Sequence, residues 1–328
     1  MTAYIFRRLL WAVFTVYCVF TLVFLLVFAL GSPASTTLGP NAGEEQIADF
    51  ERKEGLDQPI WRQYTSRLGT SPCVRQASPE YAREGYCGAL QLDFGTSYRG
   101  NEPVSAILAQ RLPRTLLLGG MALVFELIIG ITFGILAAVK RNTWFDTGFM
   151  GIAFLGISLP TYVTGPLFLW LFAFLYGWFP VGGYGVDGWD HVYHAILPAL
   201  TLAIVGAATY ARIMRSEMVD TLRSDYLRTA RAKGLPGWRV VLVHAARNAL
   251  LPIVTLMGLS MTILVSGAII TESIFAWPGM GNLAILSVVQ EDAPIIIGVV
   301  LVFAVTVQVG NLLADIALAA LDPRLRIH

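Results

Sequence analysis

Few residues in this chain have the types and spacing that chemistry needs. There is no G-x-x-x-x-G-K-[ST] phosphate loop, and no nucleophile stands beside a general base in a known pattern. The four histidines, which are His191, His194, His244 and His328, fall outside the long apolar runs. His191 and His194 are three apart and can share a helical face, but no third metal ligand is evident, so we favour structural roles over a metal or proton site. We predict no catalytic residue, no metal and no ATP hydrolysis by this chain itself.

Two carboxylates stand inside apolar runs, where an ionisable group is costly and suggests function. Glu126 lies near the middle of its run and either contacts the amino group of a transported molecule or bonds to a neighbouring helix. We favour the second reading. Asp315 shares a helical face with Gln308 and Asn311, a pattern that predicts contacts between helices.

Pro160 interrupts a third apolar run. A proline removes one helical hydrogen bond, so the sequence predicts a kinked helix there, with the Ser158 and Thr161 hydroxyls satisfying the freed carbonyl groups. A kinked helix suits the moving wall of a pathway, and it is equally common in static bundles. Both readings remain open.

Composition places these residues in a membrane. Apolar residues make up 55% of the chain and charged residues 14%, against about 25% charged in soluble proteins. Six runs approach the ~20 apolar residues that a helix needs to cross a bilayer: 9–30, 116–139, 149–175, 196–213, 250–270 and 295–320. The first exceeds the apolar core of a signal peptide, so we interpret it as a span. The sequence predicts an all-α polytopic membrane protein with six transmembrane helices.

The positive charges orient these spans. Lys and Arg precede the first span, follow the second, collect between the fourth and fifth and follow the sixth, the segments 176–195 and 271–294 contain none, and 31–113 has mixed charge. Because positive loops stay in the cytoplasm, both termini are predicted to be cytoplasmic, whereas a segment as long as 31–113 can cross regardless of charge. We therefore predict three parts: 1–30 with the first span, an extracytoplasmic segment 31–113, and a five-helix core 114–328 with a cytoplasmic loop 214–249.

The outer side carries two further expectations. Four apolar residues after Pro103 share a helical face, which predicts a helix lying on the outer membrane surface: Val104, Ile107, Leu108 and Leu112. Phe275 and Trp277 precede the Pro278-Gly279 turn, and as aromatic residues they suit the outer interface.

One cysteine lies in a predicted membrane span, and two lie in the predicted outer segment. Cys18 lies in the first span, where we expect it to act as a packing residue. Cys73 and Cys87 lie in the outer segment, where oxidation is possible. We favour a disulfide that closes a small outer loop, and the alternative is two free thiols.

The loop between the fourth and fifth spans holds the most informative stretch. Ser224 or Asp225 can cap a helix that Gly234, Pro236 and Gly237 end, which leaves about two turns, or ~12 Å. Its basic residues stand among small ones, which permit the close approach of another surface. We predict a docking helix rather than a solvated loop, formed by Asp225, Tyr226, Leu227, Arg228, Thr229, Ala230, Arg231, Ala232, Lys233 and Gly234.

The same stretch carries a family resemblance. Thr229-Ala230 followed by Gly234 resembles the EAA loop of ABC importer permeases, and the whole stretch resembles the first permease subunit of the dipeptide/oligopeptide importers. The general pattern places Ile-x-Leu-Pro soon after the glycine, whereas Leu251-Pro252 comes later here, as in the peptide subfamily. Further stretches resemble that family: 55–60, 92–98, 272–281, 311–315 and 321–326. The residues around 70–89 look like an insertion.

The resemblance implies a type I ABC importer permease fold and a role in transport. It implies a second, similar permease, two cytoplasmic ATPases that bind ATP and Mg²⁺, and an external binding protein, in a bacterial or archaeal cytoplasmic membrane. The docking helix would then be the coupling helix that sits in an ATPase cleft. We favour short peptides as the passenger, and nickel complexes, glutathione or oligosaccharides remain alternatives. Two other classes predict different behaviour, namely an ion-coupled carrier without ATPases and a membrane scaffold or sensor without flux.

Overall fold

The computed structural model describes residues 2–29, 33–39, 42–75 and 85–321. Most of the tail motif 321–326 and the centre of the presumed insertion lie outside this part of the chain. The described residues form two compact units, one within 1–114 and 279–308 and the other within 115–278 and 309–328, and the division falls inside two long helices.

Helices form nearly all of the regular structure in these residues. In chain order they are α1 (Thr2–Phe24), α2 (Pro33–Leu38), α3 (Glu44–Glu54), α4 (Ile60–Leu68), α5 (Val104–Val139), α6 (Trp144–Ser158), α7 (Thr161–Phe168), α8 (Gly188–Leu222), α9 (Asp225–Ala232), α10 (Gly237–Arg239), α11 (Ala246–Ala249), α12 (Leu251–Ile274), α13 (Met280–Val289) and α14 (Ala293–Leu321). Wider π-helical turns extend α1, α7 and α10 over Leu25–Ala29, Leu169–Leu175 and Val240–Ala245.

The predicted number of spans agrees with the structure. Four helical stretches in the described residues are long and apolar enough to cross a membrane: Phe6–Phe28, Val104–Val139, Gly188–Leu222 and Ala293–Ile316. Two bent pairs bring the number to six if each pair counts as one span: Trp144–Ser158 with Thr161–Leu175, and Gly237–Ala249 with Leu251–Met257. The all-α membrane fold is confirmed.

The third span is broken rather than kinked. Its two halves, α6 and α7, meet at an angle of 109°. Leu159 is extended, with φ −91° and ψ 117°, because a residue before proline avoids the helical region. The Ser158 hydroxyl donates to the Phe154 carbonyl at 2.8 Å and so occupies one carbonyl near the break. The prediction of a single kinked helix over 149–175 was therefore wrong.

The expected surface helix is the first part of α5. This helix runs for 36 residues and passes through Pro113 without ending. Val104 and Leu108 are buried, and they pack against Met280 and Leu283 of α13 and against residues of α14. The apolar face that suggested the membrane surface therefore contacts protein.

Three predicted positions of apolar side chains also change. Phe275 and Trp277 are 2% and 0% exposed, so they are core residues rather than interface residues. Trp277 packs with Leu118 and Ala122 of α5. Cys18 is exposed on α1, where we expected it to be packed.

Glycines let α5 lie directly on α8. A Cβ added at Gly130 would stand 2.6 Å from the Tyr210 Cβ and 2.8 Å from the Ala207 carbonyl oxygen. At Gly134 the same atom would meet the Met214 Cβ at 2.6 Å. Such spacing leaves no room for a methyl group, because α8 presents backbone and Cβ atoms there rather than flexible side-chain ends.

We therefore expect Gly134→Ala to destabilise the protein by about 1 to 3 kcal/mol through overpacking. Thermal unfolding of the purified protein in detergent measures the change. Gly120→Ala is the matched control on the same helix, since Gly120 is exposed and a Cβ there meets no described atom within 4 Å. Equal effects of the two substitutions would contradict the close contact.

Candidate functional site

The docking helix predicted from the sequence is α9, and it follows α8 almost without a gap. Arg223 and Ser224 alone separate the two helices. Ser224 occupies the position before α9, but its hydroxyl donates to the Thr221 carbonyl of α8 at 2.6 Å instead of accepting from α9. Its backbone carbonyl accepts from Leu227 and Arg228. The cap residue therefore joins α9 to the end of α8.

A left-handed residue ends the helix. Gly234 has φ +81°, and its amide donates to the Arg231 carbonyl at 2.9 Å. A Cβ built there meets nothing within 4 Å among the described residues. The sequence analysis predicted that Gly234 ends the helix, and its left-handed backbone conformation is what requires glycine there.

Leu227 anchors α9. It is 0% exposed, and it is the buried residue of this fully described helix. It belongs to a core cluster that includes Met214 and Met218 of α8 together with Val240 and Ala249. Tyr226 adds a polar attachment, since its hydroxyl accepts from Asn248 Nδ2 at 2.7 Å.

The remaining surface of α9 faces outward. Asp225, Arg228, Thr229, Arg231, Ala232, Lys233 and Gly234 are exposed, and Ala230 is half-buried. Arg228 Nη1 lies 3.4 Å from Asp225 Oδ1, but both side chains are so exposed that this ion pair contributes little to stability. The helix thus presents basic and small side chains while its apolar side is fixed to α8. This arrangement suits contact with another protein surface.

Glu126 lies in the interior of the second unit. It is 2% exposed, and Ser260 of α12 is a neighbouring polar side chain. The Ser260 hydroxyl is in turn 2.5 Å from the Tyr210 hydroxyl of α8. Gly206 of α8 stands against the carboxylate, where a Cβ would collide with it. Glu126 therefore has the helix neighbour that we favoured, and its role as a pathway contact stays a prediction, as does the gating role of Pro160.

The described residues of segment 31–113, which we predicted to be extracytoplasmic, contain a disulfide and a buried polar centre. Cys73 and Cys87 form a disulfide whose Cα atoms are 5.1 Å apart, and Cys87 is buried. Burial raises the pKa of Tyr98 to about 12 and lowers the pKa of the Arg67 guanidinium. Burial also raises the pKa of Glu54. The sequence analysis did not predict that these titratable groups leave the solvent.

The two neighbouring histidines have separate protein partners. His191 Nδ1 is 2.7 Å from the Tyr184 carbonyl oxygen, and its ring stacks on that tyrosine. His194 Nδ1 lies 3.1 Å from Asp190 Oδ1. Within the described residues no group of three possible metal ligands occurs. Both histidines thus contribute to the start of α8.

One ion pair near α9 was missed by the sequence analysis. Asp146 of α6 pairs with Arg215 of α8, which lies 69 positions away. The available signal was weak: each residue stands close to the end of an apolar run, on the side where positive charges collect. Such a signal does not specify the partner.

Comparisons with known proteins now establish the family. Residues 130–327 match the family described as "Binding-protein-dependent transport system inner membrane component", and residues 1–119 match the N-terminal family of the same components. The chain belongs to this family, and it is an ABC importer permease subunit that crosses the membrane several times.

Individual relatives agree with this assignment. The chain is 39% identical over 327 residues to the glutathione transport system permease protein GsiC of Escherichia coli strain K12, with 99% of each chain covered. It is 40% identical over 331 residues to the protein of the same name in Salmonella paratyphi A, again with 99% of each covered. A solved inward-facing structure of the MetNI methionine ABC transporter shares the fold, with a TM-score of 0.55 and 16% sequence identity. The match covers 66% of this chain and 97% of the matched MetNI chain.

The end of α9 can be tested directly. We expect Gly234→Ala to cost about 1 to 2 kcal/mol, because a Cβ is unfavourable in the left-handed conformation, and to speed amide hydrogen exchange in α9. Gly237→Ala is the control, because Gly237 has the same open surroundings without a positive φ. Unchanged exchange in the Gly234 variant would show that the backbone conformation is not needed.

Proposed function

We propose that this chain is one of two permease subunits of an ATP-driven importer of short peptides, with glutathione, a tripeptide, among its passengers. The observation that carries the proposal is α9, a short basic helix fixed to α8 by the buried Leu227 and exposed on its other sides. A helix held in this way can receive a push from another protein and pass it to a membrane span.

The other components follow from the family. A second, similar permease completes the pathway, two cytoplasmic ATPases bind ATP and Mg²⁺, and an external binding protein delivers the passenger. The description of the family as binding-protein-dependent supports the last of these. The distribution of Lys and Arg supports cytoplasmic termini and an outer position for residues 31–113, in the cytoplasmic membrane of a bacterium or archaeon.

The mechanism is alternating access. Closure of the ATPases on ATP draws the two coupling helices together, and α8 moves with α9 because Leu227 and the short Arg223-Ser224 connection join them. The spans then tilt, and the cavity between the two permeases changes from inward-open to outward-open. The passenger enters from the binding protein and leaves inward after hydrolysis. No residue of this chain does chemistry in this scheme.

The choice of passenger rests on the relatives. Proteins at 39–40% identity over the full chain carry the name of a glutathione transport system. This supports a peptide passenger over nickel complexes or oligosaccharides. Selectivity also depends on the external binding protein, so the passenger has to be measured.

Uptake of labelled glutathione and of a labelled dipeptide should be compared in cells with the gene, without it and with it restored. We expect uptake to fall on deletion, to return on restoration and to survive an ionophore while ATP stays high. Uptake that collapses with the ionophore would favour an ion-coupled carrier. Unchanged uptake of both labels, in cells without a redundant peptide system, would reject peptides and direct the test to nickel complexes and oligosaccharides.

Removing the anchor tests the coupling role. Leu227→Ala should cost about 2 to 5 kcal/mol at a fully buried site, free α9 from α8 and abolish uptake while the protein still inserts in the membrane. Leu242→Ala is the control, because Leu242 is 55% exposed in the neighbouring π-helical turn. Normal uptake by the Leu227 variant would contradict the proposed role of α9.

A further inference from the structure

Among the described residues of the second unit, Asp146 and Arg215 form a closely fitted ion pair. Arg215 Nε donates to Asp146 Oδ1 at 2.5 Å, and Nη2 donates to Oδ2 at 2.6 Å, so the contact is bidentate. Asp146 is 3% exposed, and its Oδ2 also accepts from the Asn142 amide at 3.0 Å. Because two hydrogen bonds join the guanidinium to the carboxylate, the contact fixes orientation as well as distance.

This pair joins three elements. Asp146 lies in the first turn of α6, Arg215 lies in the last third of α8, and Asn142 belongs to the turn between α5 and α6. Phe149 of α6 stacks on Phe133 of α5 at 4.5 Å, which gives α6 a second attachment at the same end. The start of α6 is therefore held to α8 by a directional contact and to α5 by an aromatic one.

The part of α8 that holds Asp146 also holds α9. Met214 and Met218 flank Arg215 along α8, and both belong to the cluster that buries Leu227. A displacement of α9 thus reaches the turns of α8 from which Arg215 extends. From Asp146, α6 runs as one helix to the break at Leu159 and Pro160, beyond which α7 begins.

Stability alone gives a weak reason for such a pair. Asp146 is buried, whereas the Arg215 side chain is 28% exposed. Well-packed apolar side chains often replace a buried ion pair with equal or greater stability, because the charges must give up their hydration, and an exposed pair contributes little in any case. What apolar side chains do not provide is a fixed direction between two helices.

We propose that Asp146 and Arg215 are positioning residues that make α6 follow α8 when α9 is displaced, so that the movement reaches the broken span α6–α7. This inference rests on the proposed function. It assigns to the pair the transmission of movement, while α9 provides the docking surface.

The test uses the complete complex reconstituted in vesicles, with the number of passengers imported per ATP hydrolysed as the readout. We expect Asp146→Asn and Arg215→Gln each to lower this ratio about tenfold, in the usual range of coupling between sites, while ATP hydrolysis continues. Arg212→Gln is the matched control, because Arg212 is exposed one turn earlier on α8. Its ratio should equal that of the wild type.

The double variant Asp146→Leu with Arg215→Met separates positioning from stability. An apolar pair should keep the melting temperature near that of the wild type, since it removes both charges together, and we expect its ratio to stay low. A double variant that imports as many passengers per ATP as the wild type would overturn the inference and make the pair a packing contact. A wild-type complex without ATP-dependent uptake would instead contradict the proposed function itself.

Discussion

The close contact of α5 with α8 is the constraint on which the second unit depends. Apolar attraction between helices is weak in lipid, so association relies on tight packing of small residues. Gly130 and Gly134 supply that packing, because each lies against backbone or Cβ atoms of α8. Gly206 makes the corresponding contact from the side of α8. Because it has no side chain, the Glu126 carboxylate of α5 fits against it. Three glycines thus set the distance between the two helices.

With that distance fixed, α8 can carry two different attachments. Met214 contacts α5 through its Cβ and also belongs to the cluster that buries Leu227 of α9. The next residue, Arg215, pairs with Asp146 of α6. Helix α8 is 35 residues long. Within about two turns of its last part it contacts α5, α6 and α9. A change at any of these contacts therefore alters the surroundings of the others.

Prolines show how far the sequence could predict this fold. Apolar run lengths were enough to give the number of spans, because the bilayer sets a minimum length for each helix. Pro113 and Pro160 carry the same local signal, yet α5 continues through the first and the helix breaks at the second. The segment before Pro113 buries Val104 and Leu108 against α13 and α14, and we infer that this packing lets the helix continue through the proline. That information is tertiary, so a rule for single residues could not supply it.

Helix α9, which we propose as the coupling helix, was predictable for a reason that also limits how it can act. Its signals are local, since Ser224 and Gly234 mark the ends of a short segment. A helix of eight residues is nevertheless marginal in water when isolated, and most of its stability must come from packing. Leu227 provides that packing, so the contact that holds α9 to α8 is also what keeps α9 helical. A force large enough to detach α9 would remove the packing that keeps it helical, and we therefore infer that α9 moves together with α8.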